Sequence, residues 1–141
     1  MLNKKYSRLI AACAVAATPF VSSGVSAAGL DGSSDTVCAV SQIVACLEDG
    51  TCLQGQARDF DLPALIVLDA SKKVLRGSSE SGHKAVSPVK NMELNGDNLV
   101  LQGVENSRGW SISINTKTGH MSGSGVGDGI SFLAHGTCTA L

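Results

Sequence analysis

Three stretches of this 141-residue chain share one grammar: LIVL-DASKKVLRG, NMEL-NGDNLVLQG and SISI-NTKTGHMSG. In each, an apolar run ends at Asp69, Asn95 or Asn115. An apolar residue (Leu75, Leu101, Met121) follows six places on, and a glycine (Gly77, Gly103, Gly123) eight places on. Asp and Asn start turns by accepting nearby backbone N–H groups on their side chains, so each phrase predicts a β-hairpin. The hairpins are spaced 26 and 20 residues apart, and this irregularity argues against a solenoid. Glycines at matching points of three return strands predict sharp coiling, which bends a sheet towards closure.

No useful helix-period stretch follows residue 28. Strands are expected at Thr36 to Leu47, Cys52 to Ala57, Leu65 to Asp69, Lys73 to Gly77, Val89 to Leu94, Leu99 to Glu105, Gly109 to Asn115, Gly119 to Gly125 and Ile130 to Gly136. Eight or nine short strands joined mostly by tight turns make an all-β antiparallel meander, curled into a small barrel or folded into a sandwich. Trp110, Ile112 and Ile114 alternate with Ser111 and Ser113, one face buried and one wet. The longest break in the pattern, GSSESGHKAVSP from Gly77 to Pro88, is expected to be a mobile loop or a lid.

The chain opens with Lys4, Lys5 and Arg8 ahead of an apolar run from Leu9 to Val21, then small residues through Ser26-Ala27-Ala28. This is the layout of a secretory signal peptide cleaved after Ala27 or Ala28. The run is short of the roughly 20 apolar residues of a membrane-spanning helix. A lipobox-like Ile10-Ala11-Ala12-Cys13 also occurs, but only four apolar residues separate Arg8 from Cys13, fewer than a signal core needs. The organisation expected is residues 1–28 as signal, 29–35 as a flexible lead-in and 36–141 as one domain, periplasmic or secreted.

Three of the eleven Lys and Arg leave with the signal, so eight remain against twelve Asp and Glu, a net charge of −4. Only Lys72-Lys73 stand together, which excludes nucleic-acid binding by clustered phosphate contacts. Phe60, Trp110 and Phe132 are the only aromatics left, so a ligand surface must be mainly aliphatic and backbone in character.

Cys38, Cys46, Cys52 and Cys138 remain, an even number in an exported chain, where oxidised pairs are expected. No C-x-x-C or paired zinc spacing occurs. ACLEDGTC reads as a hairpin with the three-residue loop Glu48-Asp49-Gly50, Gly50 being left-handed. Leu47 then faces Thr51, and Cys46 faces Cys52 at a separation a disulfide spans. The remaining pair, Cys38 and Cys138, would close a loop of about 100 residues. A Cys38–Cys46 bridge would need a sharp bend near Ser41-Gln42, since eight residues of strand span about 26 Å.

Candidate site residues gather late in the chain. In GSGVGDG, Gly123, Gly125, Gly127 and Gly129 alternate, so one face of the strand carries no side chains. The run matches no nucleotide-binding loop and is followed by a strand, not a helix. Something must lie over it: Trp110 as core cover, or a ligand or partner strand. His83, His120 and His135 are not at metal spacing, and no G-x-S-x-G occurs. Asp59 and Asp61 flank Phe60 in RDFDLP and read as a solvated strand face. The turn from Asn95 to Asn98 and Asp128 fit neither the EF-hand nor the nonapeptide calcium pattern. No motif calls for a cofactor.

The opening VCAV with its following C-x5-C, and the close GWSISINTKTGHMSGSGVGDGISFLAHGTCT, resemble a group of small exported proteins of Gram-negative bacteria. The resemblance is firm at the two ends of the mature chain. It implies export and a disulfide-bearing β domain, and it carries no catalytic residues across. The expected role is a binding module for a small apolar ligand or an envelope protein, its surface built around Trp110, His120, Gly123, Gly125, Gly127 and Asp128. The alternatives are an inhibitor of an exported hydrolase and an enzyme with an unrecognised site. A pocket binder is expected to hold a cavity of at least about 300 Å³.

Overall fold

The computed structural model describes residues 29–141; the signal segment, its cleavage point and the lipobox-like Cys13 lie outside the described residues. Nine strands follow one another: β1 Thr36–Leu47, β2 Cys52–Gly55, β3 Leu65–Asp69, β4 Val74–Ser78, β5 Lys84–Asn95, β6 Asn98–Glu105, β7 Arg108–Asn115, β8 His120–Gly127 and β9 Ile130–Ala140. Every pairing is antiparallel. From β3 to β9 each strand pairs with the next, and β9 closes onto β1. The result is an eight-stranded barrel with β2 as an additional strand beside the second half of β1. Closure removes the exposed edges an open meander of this length would leave.

The three hairpin phrases fold as their turn residues require. Asp69 Oδ1 accepts the Lys72 N–H at 3.0 Å, and Asn115 Oδ1 accepts those of Lys117 and Thr118 at 3.1 and 2.9 Å. Asn95 pairs with Asn98 across a two-residue loop whose Gly96 has φ of +58°. Of the three glycines in these phrases, Gly77 and Gly103 are each covered by a neighbour, and Gly123 is only in ordinary contact. A Cβ on Gly77 would lie 2.6 Å from Cβ of Pro63, one on Gly103 2.6 Å from Cε2 of Trp110, and one on Gly123 3.4 Å from Cγ1 of Ile112.

Both disulfides form between direct cross-strand partners, Cys38 with Cys138 and Cys46 with Cys52, with Cα atoms 4.0 and 4.1 Å apart. The Glu48-Asp49-Gly50 loop carries Gly50 at φ +86°, and Leu47 donates its N–H to Thr51 at 2.9 Å. Eight residues separate Cys38 from Cys46, which in a regular strand would put both on one face. The register of β1 against β9 slips at Ser41, between Val40 and Gln42. That bulge reverses the alternation. Cys38 therefore lies buried in the barrel core, whereas Cys46 falls on the face opposite buried Ile43 and Ala45.

The core fills one end of the barrel. Leu68, Leu75, Val89, Leu99, Leu101, Ile114 and Met121 pack around the Cys38–Cys138 bridge. Residues 29–35, expected as a flexible lead-in, instead turn back so that Leu30 is fully buried within that cluster. The Lys117 ammonium meets the Asp97 carboxylate at 2.8 Å, and the Thr116 N–H reaches the Asp97 carbonyl at 2.8 Å, tying two turns together at this end.

Two local expectations are corrected. The stretch from Gly77 to Pro88 is not a long loop: β4 and β5 pair through Gly77–Ala85 and Ser78–Lys84, leaving a tight turn over residues 79–83. Pro88, which has no N–H to donate, is accommodated in β5 because the Val89 N–H carries the pairing to Lys73 O at 2.8 Å. RDFDLP is not strand either. Ala57–Phe60 form one turn of 3-10 helix, with Asp59 accepting the Gln56 N–H at 2.7 Å and Asp61 left-handed at φ +52°.

Candidate functional site

The barrel is open at the end opposite Leu30. Inward-facing positions there come from alternate residues: Ile66 on β3, Leu75 and Gly77 on β4, Ala85 and Ser87 on β5, Trp110 and Ile112 on β7, Gly123 and Gly125 on β8, Phe132 and Ala134 on β9. They enclose a cavity of about 280 Å³. Leu62 and Pro63 flank its mouth, together with His83, Glu105, Asn106 and Arg108 from the neighbouring turns. The walls are overwhelmingly apolar; the charged residues are His83, Glu105 and Arg108 at the rim and Arg76 on β4, whose guanidinium is paired with Asp69 at 3.2 Å.

Why the cavity exists is a matter of where Trp110 lies. Its direct partners on the flanking strands are Gly103 and Gly125. The indole leans over Gly103, not Gly125, and donates its Nε1–H to Ser87 Oγ on β5 at 2.7 Å. The expectation that Trp110 covers the β8 glycine strip is therefore corrected. Gly103 is the position that accommodates the ring, because a Cβ there would also come 2.5 Å from the Pro88 carbonyl. Gly125 is left bare: a Cβ there would meet only the Gly109 carbonyl, 3.9 Å away.

Within this lining the structure brings together Trp110, Gly123 and Gly125. His120 begins β8 opposite Thr137, exposed, well down the strand from Gly125. Asp128 and Gly129, at φ +54° and +71°, form the two-residue loop between Gly127 and Ile130, the geometry of a twisted hairpin turn. Asp128 is exposed and, like Gly127, outside the cavity lining.

Comparison with protein-family models, with curated proteins and with solved structures finds no significant match.

Asp61 lies beside the mouth, near the turn between β4 and β5. The hydroxyls of Ser81 and Ser79, with a smaller contribution from the charge on His83, keep its carboxyl below the ordinary value of 3.8. This links the segment before Pro63 to the turn between β4 and β5, whose Ser79 and Ser81 hydroxyls are 3.0 Å apart. Pro63 in turn packs on Gly77.

One histidine meets a hydroxyl: His135 Nδ1 is 3.3 Å from Ser122 Oγ. Both are exposed cross-strand partners on the outer surface, and among the described residues no carboxylate bonds to the imidazole. A nucleophile's base needs such an orienting group and a cleft. No described cluster of three or more His, Cys, Asp or Glu is suited to a metal ion. A depression of about 350 Å³ lies outside the barrel over β3 to β5, lined by Leu65, Val67, Val86 and Lys84. Its residues diverge from one face of a sheet, whereas the interior cavity has walls converging from six strands.

Ser87 falls in the stretch from Gly77 to Pro88 expected to be a loop. The available signal was the alternation of Ala85, Ser87 and Val89, which now face the interior.

Proposed function

We propose that this chain is an exported binding module that takes a small, mainly apolar ligand into the open end of its barrel. The observation that carries the reading is the unfilled space beside Gly125: an apolar cavity of about 280 Å³ in a barrel whose other end is fully packed. Ligand sites are typically concave, largely apolar and close to this size at their lower limit. A cavity of about 150 Å³ accepts benzene, so this one suits a molecule of roughly ten non-hydrogen atoms. Export is supported by the two disulfides and by the leader composition, since oxidised pairs persist outside reducing compartments. No described helix is long and apolar enough to cross a membrane.

The test uses the chain's single tryptophan, whose indole N–H gives one resonance. Titration with cumene should shift the Trp110 indole and Gly125 amide signals together, saturably. Gly125→Val, whose side chain enters open space, should abolish both shifts while the protein stays folded. Shifts that survive the filled cavity, or none in the native protein, would refute the proposal.

A further inference from the structure

Resting on that reading, we infer that the ligand carries one neutral hydrogen-bond acceptor, such as a ketone, ester or ether oxygen, that is received by the Ser87 hydroxyl inside the cavity. Ser87 is 4% exposed and lines the cavity wall. A serine hydroxyl has two lone pairs and one proton to donate. One lone pair receives the Trp110 indole N–H at 2.7 Å. The proton then points away from that donor, and among the described residues the hydroxyl forms no second hydrogen bond, to an acceptor, beside the one from Trp110. Buried polar groups ordinarily complete their hydrogen bonds, and this one faces an apolar space that holds a ligand on the reading above. Trp110 thus orients the hydroxyl, and the hydroxyl offers its proton to the guest.

The acceptor is neutral for an electrostatic reason. Burying a carboxylate without a paired cation is far more costly than burying a carbonyl that receives one hydrogen bond. Arg108, at the start of β7, lies at the mouth; Arg76, also in the lining, directs its guanidinium to Asp69 at 3.2 Å; and Ser87 pairs with Leu75 of the packed core. A ligand long enough to fill the cavity therefore puts its oxygen at depth, next to a hydroxyl and an indole, away from any cation.

Cumene and acetophenone are nearly isosteric and differ chiefly by the ketone oxygen. Affinities for both, with benzoate as the anionic probe, are measured by the Gly125 amide shift in Trp110→Phe and in the double variant Ser87→Ala/Trp110→Phe. The double variant leaves no indole N–H to substitute for the lost hydroxyl and strands no buried partner, so it is expected to stay folded. The ratio of acetophenone to cumene affinity should fall about tenfold on removing the hydroxyl, with cumene changed less than about twofold. Benzoate should bind more weakly than acetophenone throughout. An unchanged ratio, or benzoate as the tightest probe, would overturn this inference and leave the cavity reading standing. No binding of any probe to the native protein would remove both.

Discussion

The indole of Trp110 on β7 crosses β6 at Gly103 to reach Ser87 on β5. That one orientation decides which of its two glycine neighbours is a contact and which is a space. Gly103→Ala is accordingly expected to destabilise the protein by about 1 to 3 kcal/mol, the usual range for overpacking, because its methyl group would meet both the ring and the Pro88 carbonyl. Urea unfolding checks it. Gly109→Ala, in the same strand pair but with nothing within 4 Å of the added Cβ, is the control and should not destabilise.

Gly125→Ala should have the opposite sign. Glycine within a strand costs roughly 0.5 to 1 kcal/mol relative to alanine, and here the added methyl finds open space with no positive φ to forbid it. A rise in the urea midpoint is expected. A loss of more than about 1 kcal/mol would show that the wall beside Trp110 is occupied by something other than free volume.

The two bridges should differ in their contribution. In the chain-entropy model a loop of about 100 residues is worth roughly 4.7 kcal/mol, and one of about six or seven roughly 2.3 kcal/mol. Cys38→Ala/Cys138→Ala also removes sulfur from the packed interior, where both residues are 5% exposed. Its melting temperature should fall well below that of Cys46→Ala/Cys52→Ala, whose bridge lies on the opposite face of β1. Equal losses would mean that the long loop is already restricted in the unfolded chain.

Much of the fold was legible because it is written in local chemistry. Asp69, Asn95 and Asn115 mark turns, Gly50 marks a left-handed position, and alternation from Trp110 to Ile114 marks a half-buried strand. What escaped depends on residues far apart in the chain. The Ser41 bulge, which turns Cys46 outward, is set by register against β9. Leu30 is buried only because barrel closure creates an end for it to seal. Ser87 was hidden in the stretch expected as a loop; Pro88 beside it is tolerated in β5 because Val89 carries the backbone bond. Of the cavity lining, Trp110, Gly123 and Gly125 were visible. Which glycine the ring covers is a choice between two equivalent neighbours in register, and no local pattern encodes it.

Leu30→Ala tests the sealed end directly. A fully buried leucine replaced by alanine commonly costs about 2 to 5 kcal/mol. Amide exchange should quicken at Leu99 and Met121, its companions in the cluster, more than at Gly125. A variant as stable as the native chain would mean that residues 29–35 do not hold their place in the barrel.

Acid should loosen the molecule through its turns. Asp31, Asp49, Asp61 and Asp69 all have carboxyls held below 3.8, chiefly by hydrogen bonds: from Ser33, Thr51, Ser81 and Lys72 respectively. A carboxyl whose folded value is lowered binds its proton more readily in the unfolded chain. Its stabilising contribution is therefore complete above the unfolded value near 3.8 and is lost as pH falls through the folded one. Urea midpoints should be flat with respect to these groups above about pH 5 and decline below about pH 4. Asp61→Asn isolates the mouth, since asparagine tolerates the left-handed backbone at φ +52° but has no charge to lose. Its acid slope should be shallower than the native one, and acid should no longer increase amide exchange at Ser79 and Gly77. An unaltered slope with unaltered exchange would place the acid response in the other three turns and free the mouth segment from Asp61.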